Sequence, residues 1–216
     1  MAAVMLTGGR APADERDDAL ALVTNARTVL QEMTSRAPGQ RIPPEVLANS
    51  HGIVILPAGA QAGPGGPHGG GVVLGHQPGG RFSSPSLVTT TGGSRGAPGG
   101  AERSSVLLVL NNAAALDRFM VGGLRLGTEV SVVAGPTGTT GIERADVYAY
   151  ADREADFAVS ALAGATVTND ADRAAVLYRR PTTASSLLAG QAQGLRVPWA
   201  AADLRRALAQ YAHRTR

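Results

Sequence analysis

The sequence predicts an α+β domain: a central, largely antiparallel sheet, open or barrel-like, with helices from both chain ends packed around it. Two patterns carry that prediction. Apolar runs of strand length, bounded by glycine and proline, cluster in the middle of the chain, and helical periodicities lie at its ends. No regular strand–helix–strand alternation supports a parallel repeat. The length supplies a third argument: 216 residues, 44% hydrophobic and 17% charged, suit one domain able to bury a core.

The first helix is predicted over Asp14–Ala37, where Leu20, Val23, Leu30 and Met33 recur at helical spacing with Ala19, Ala26 and Val29. Acids crowd its start, favouring the positive end of the helix dipole, and Pro38-Gly39 stops it. A basic membrane-lying helix would carry arginine along its polar face, so this one is read as packing onto the domain. Ile42-Pro-Pro-Glu-Val-Leu47 makes a helical turn opened by proline. Strands follow at Gly52–Pro57 and Gly71–Gly75, with a Gly/Pro loop between them. Arg81–Pro85 and Ser86–Thr91 read as a bent strand pair interrupted at Pro85, before a second glycine loop. Ser105–Leu110 is the most apolar run and the expected central strand. Asn111 or Asn112 caps a helix through Met120, ended by Gly122-Gly123. Glu129–Ala134, Asp146–Tyr150 and Phe157–Thr168 complete the strands. Asn169 or Asp170 caps a helix to Tyr178, and helices over Thr182–Ala189 and Pro198–Ala212 finish the chain.

Two absences exclude function classes. There is no cysteine, hence no thiolate nucleophile, disulfide, iron–sulfur cluster or cysteine zinc site. There is no lysine either, so Schiff-base chemistry and a Walker phosphate loop are excluded. A GC-rich genome explains the arginine-only basic set. No run of residues approaches a membrane span. Met1–Leu6 is apolar but short, fitting either the remnant of an export signal or a frayed end.

The motifs for catalysis and metal are weak. Gly92-Gly-Ser94-Arg-Gly96 is a formal G-x-S-x-G, with His68-Gly-Gly-Gly71 upstream and Asp117 and His213 following in esterase order. A nucleophile elbow must turn from strand into helix, whereas Pro98-Gly99-Gly100 follows Ser94, so a serine esterase is only a remote alternative. His51, His68, His76 and His213 are scattered, and His51 is read as a hydrogen-bonded structural residue. Asp152, Glu154 and Asp156 alternate but lack the glycine and closing acid of a calcium loop. No dinucleotide fingerprint fits, and no cofactor or metal is expected. With aromatics at 4%, nucleic-acid binding lacks its stacking residues.

Charge is more informative. The net +3 hides a slightly acidic body and a segment, 179–216, with seven arginines against Asp203 alone, a charge of +6. In the last helix, Leu204, Leu208 and Tyr211 share a face, with Trp199 a turn earlier; Arg206, Gln210, His213 and Arg214 share another, with Arg205 beside them. Such a helix either docks on the sheet or lies against a lipid interface. Arg179, Arg180 and Arg196 could join it in a phosphate-binding patch, because arginine offers a bidentate fork.

Several ordered blocks resemble the SYLF domain family: 42-IPPEVLANSHGIVILP-57, 70-GGVVL-74, 82-FSSP-85, 106-VLLVLN-111, Leu126-Gly127, 131-SVVAGP-136 and 147-VYAY-150. The resemblance runs from about Leu20 to Leu208. The chain departs from the family pattern at Phe82 (usually Trp), at Ser105 (usually an acid, before the central strand), at 155-ADFAV-159 (usually Gly-Leu-Phe-x-Gly) and at Tyr178-Arg179 (usually Tyr-Gly). The resemblance implies a non-enzymatic module that binds anionic phospholipids, phosphoinositides among them, and in some members actin filaments. It also implies a bacterial protein exported to the periplasm or membrane periphery, with the cytoplasm as alternative, and supplies no catalytic residues. The resulting expectation is a single domain over 14–212, between a flexible 1–13 and a tail at 213–216. It would bind anionic headgroups peripherally through Arg179, Arg180, Arg196, Arg205, Arg206 and Trp199. The alternative is a protein-interaction or scaffold domain, actin-binding-like, for which lipid is incidental.

Overall fold

A computed structural model of the chain describes residues 12–37, 39–58, 69–92, 104–136, 145–152, 162–192 and 194–213. The fold is α+β, as the sequence predicts. Helix α1 (Pro12–Thr34) buries Ala19, Leu22, Val23, Ala26, Val29, Leu30 and Met33, the stripe of its helical periodicity. A short α2 (Pro44–Ala48) leads into β1 (Gly52–Leu56). Then come β2 (Gly69–Gln77), β3 (Arg81–Phe82), β4 (Ser86–Gly92), β5 (Val106–Leu110) and α3 (Ala113–Gly122). They are followed by β6 (Leu124–Arg125), β7 (Val132–Ala134), β8 (Val147–Ala151) and β9 (Ala165–Asn169). The chain ends with α4 (Ala171–Tyr178), α5 (Ala184–Leu188) and α6 (Trp199–Ala212).

The sheet order is β6-β9-β4-β2-β1-β5-β8-β7, with β3 paired to β2 off this path. Every pairing is antiparallel except β7 with β8, which is parallel. The edge strands β6 and β7 are neighbours in the chain, joined through residues 126–131 with a bridge between Leu126 and Val130. The two edges therefore lie close together and the sheet is curled into a half-barrel.

Both faces of the curled sheet are covered. Ile53, Ile55, Val72, Leu74, Leu107 and Val109 point toward α1, α4 and α6. Their alternates Val54, Leu56, Val73, Val106, Leu108 and Leu110 fill the inner face with Ala115 and Phe119 of α3. That double burial is why these strands read as unbroken apolar runs rather than alternating ones. Gly71 permits the tight β1–β2 approach, because a Cβ there would lie 2.5 Å from the Ile55 carbonyl oxygen.

Local differences from the sequence reading have identifiable causes. β3 and β4 do not pair with each other; both pair with β2, because the Ser83–Pro85 crossing redirects the chain. Glu129–Ala134 shrinks to Val132–Ala134, since Glu129 and Val130 donate backwards to the Arg125 carbonyl in a turn. Of Phe157–Thr168, residues 157–161 lie outside the described residues and the strand proper begins at Ala165, after the turn at Ala163-Gly164. Asn112 and Asp170 supply the caps, accepting from the backbone N–H of Ala115 and Arg173.

Candidate functional site

The Phe82–Pro85 crossing carries one of the family-like blocks, and the fold grips it from three sides. Arg205 on α6 donates from Nε to the Phe82 carbonyl at 2.9 Å. Tyr178, the last residue of α4, donates its hydroxyl to the Pro85 carbonyl at 2.6 Å. Ser83 Oγ accepts from the Gly75 N–H and donates to the Ser84 carbonyl. Burial pushes the Tyr178 hydroxyl far above the ordinary tyrosine pKa, against a smaller opposing pull from the Arg205 charge. A crossing strand that must leave β2 exposes its carbonyls, and these donors satisfy them. His76 stacks on Phe82 with ring centroids 4.7 Å apart and bonds the Ser50 carbonyl through Nδ1. The structural histidine is thus His76. The side chain of His51 is exposed, and the hydrogen bonds at that residue are made by its backbone to Leu110 and His76.

The six residues expected at a headgroup site fall into three environments. Arg205 is half-buried and engaged by the crossing just described. Arg179, Arg180 and Arg196 are exposed, and their side chains have no hydrogen-bond or ion-pair partner among the described residues. Arg179 has a φ of 56°, left-handed, and is the one non-glycine residue with positive φ among the described residues. It closes α4 at a position that favours glycine. Trp199 and Arg206 belong to the third environment, on the outer face of α6.

There α6 and α1 form a surface zipped by charge. Trp199, Asp203 and Arg206 recur at i, i+4 and i+7 and so share a stripe. Asp203 bonds Arg27 of α1 (Nε to Oδ2, 3.2 Å) and takes Arg206 Nη1 on its other oxygen at 3.7 Å. Arg27 also donates from Nη1 to Gln31 Oε1. Trp199 stands at the head of this stripe with 70% of its surface exposed. The apolar face of the same helix, Ala200, Ala201, Leu204, Leu208 and Tyr211, is wholly in the core. The indole therefore lies outside the apolar face with which the sequence reading had aligned it.

A second polar knot pins the edge strand β7. Asp146 accepts from the backbone N–H and hydroxyl of Ser131 and from the Asn112 side chain, each at 2.8 Å. The Ser131 N–H above all, then these side-chain donors, hold the Asp146 carboxyl below its usual value; the Arg118 charge adds to them and burial opposes.

The weak catalytic motif gains nothing. Ser94 and His68 lie outside the described residues, while Gly69–Gly71 forms the start of β2 rather than an oxyanion loop. Glu154 and Asp156 also lie outside them. Among the described residues no group of three His, Asp or Glu side chains could hold a metal ion, and no helix is long and apolar enough to cross a membrane.

Residues 91–211 match the family described as Ysc84: Las17-binding protein actin regulator. An SH3 domain-containing protein of Schizosaccharomyces pombe is 34% identical over 162 residues, which is 69% of this chain and 37% of that protein. The SH3 domain-containing YSC84-like protein 1 of Xenopus laevis is 36% identical over 121 residues, 52% of this chain and 36% of its own length. LAS seventeen-binding protein 3 of Saccharomyces cerevisiae is 31% identical over 164 residues, 70% of this chain and 35% of its own length. The chain thus spans little more than a third of these relatives. The family is one of actin regulators rather than of enzymes, and this chain, with its curled sheet and flanking helices, belongs to the Ysc84/SYLF family.

Proposed function

We propose that the domain is a non-enzymatic protein-interaction module of the actin-binding type. Its membership of a family of actin regulators carries this reading. The packing of α6 supports it: Leu204, Leu208 and Tyr211 are committed to the core, so the helix has no apolar face left to lay into a bilayer. What remains outside is polar, arginine-rich and topped by one indole, a composition common at protein-binding hot spots.

Anionic-lipid binding is the second reading, favoured by Arg179, Arg180 and Arg196, which are exposed and have no side-chain partner among the described residues. Co-sedimentation separates the two. The purified chain is spun with actin filaments and, in parallel, with phosphatidylserine-containing and purely phosphatidylcholine vesicles. Pelleting with filaments at low micromolar concentration is expected. Pelleting with anionic vesicles alone would replace the protein reading by the lipid one, and pelleting with none would overturn both.

A further inference from the structure

Resting on the protein-interaction reading, we infer that the α1–α6 ridge built from Trp199, Arg27, Asp203 and Arg206 is the docking face, and that its partner is an acidic protein surface presenting a carboxylate beside an apolar notch. Trp199 and Val121 are the two large hydrophobic residues left exposed among the described residues, and Val121 stands on α3, over the other face of the sheet. An isolated exposed valine is ordinary; an exposed indole at the head of an ordered charged stripe is not. The stripe is held in place. Asp203 binds two guanidiniums, one from each helix, and Gln31 takes a further Arg27 N–H. Arg206 keeps Nε and Nη2, and Arg27 keeps Nη2, with no partner among the described residues.

One carboxylate between two guanidiniums leaves the cluster with net positive charge and with N–H donors that have no partner among the described residues. That is an unfinished arginine–carboxylate network, and a carboxylate from outside completes it by a forked pair. Trp199 and Arg206 lie about 10 Å apart along the helix, from seven residues at 1.5 Å rise, so one partner segment can engage both. Arg196, exposed and three residues before the indole in the chain, adds a further positive charge to the segment that leads into the ridge. The central Asp203 argues for a protein rather than a bilayer. A negative side chain in the middle of the face repels a sheet of anionic headgroups, whereas a protein partner places its carboxylates on the arginines on either side of it.

The test is equilibrium binding to actin filaments by co-sedimentation, at one low ionic strength. Trp199→Ala is expected to weaken binding by about thirtyfold, the effect of losing a hot-spot tryptophan. Arg206→Ala and Arg27→Ala are expected to weaken it by about tenfold each. Arg125→Ala, which removes an exposed charge on β6 elsewhere in the sheet, is expected to leave it within twofold. Circular dichroism and the urea midpoint report whether each variant is folded. If the wild type binds and Trp199→Ala and Arg206→Ala bind equally well while folded, the docking face is wrong and the interaction reading stands. If the wild type does not bind filaments, the reading beneath it falls. If binding moves to anionic vesicles and follows these same residues, the partner is a membrane and the inference is overturned.

Discussion

Arg205→Met separates the arginine that holds the fold from those that face outward. The substitution keeps most of the aliphatic stem and removes the guanidinium that donates to the Phe82 carbonyl at 2.9 Å. A hydrogen bond from a charged donor contributes about 1.5–3 kcal/mol, and the half-buried setting places this one near 2 kcal/mol. With a urea slope of about 2 kcal/mol per molar, the unfolding midpoint falls by about 1 M, and the slope itself stays unchanged. Far-UV circular dichroism across a urea series measures both. Arg206→Met, one residue on, is the internal control and shifts stability by no more than about 0.5 kcal/mol, as exposed positions do. A loss at Arg205 no larger than at Arg206 would refute the view that α6 clamps the β3–β4 crossing.

Other consequences are equally concrete. Asp146 titrates below 3.8 in the folded chain, so its stabilising contribution is whole well above 3.8 and is lost as pH falls through the folded value. The protection factors of the Ser131 and Val147 amides, with the intrinsic exchange rate divided out, should therefore fall on acidification, and Asp146→Asn should remove that pH dependence of the protection. Gly71→Ala forces a Cβ to 2.5 Å from the Ile55 carbonyl oxygen and should cost about 3 kcal/mol by urea unfolding. Gly122→Ala meets no atom within 4 Å at the end of α3 and should stabilise by about 0.5–1 kcal/mol. Arg179→Gly relieves a left-handed residue and should raise stability by about 1 kcal/mol.

Much of the fold is legible because its strands are buried on both faces. Val106–Leu110 has no polar residue to confuse its assignment, and its pairing with β1 and β8 needs no special turn. The parallel β7–β8 pair is not legible, since β7 has three residues and is held by Asp146 and Ser131 rather than by its own pattern. In the site, Trp199 and Arg206 are legible as residues but misaligned as a face. On the helical wheel Trp199 lies about 140° from Leu204 and within about 40° of Asp203 and Arg206, so the spacing itself sets the indole outside, and grouping it with Leu204 as a residue one turn earlier overlooks that angle. Arg205 belongs with Phe82, a partner 123 residues away. Arg27 is invisible from the C-terminal charge count because its carboxylate lies 176 residues downstream. The available hint was that Asp203 is the lone acid of an arginine-rich segment, which asks for a cation from elsewhere in the fold.

The sole tryptophan of the chain is Trp199, so its burial on binding can be read directly. Replacing it with 5-hydroxytryptophan gives a fluorophore that can be excited apart from the tryptophans of actin. Acrylamide quenching is then measured free and at saturating filament. The α1–α6 docking face predicts strong quenching in the free chain, where the ring is 70% exposed, and a several-fold loss of quenching when filaments are bound. Unchanged quenching in a chain that pellets with filaments would contradict it.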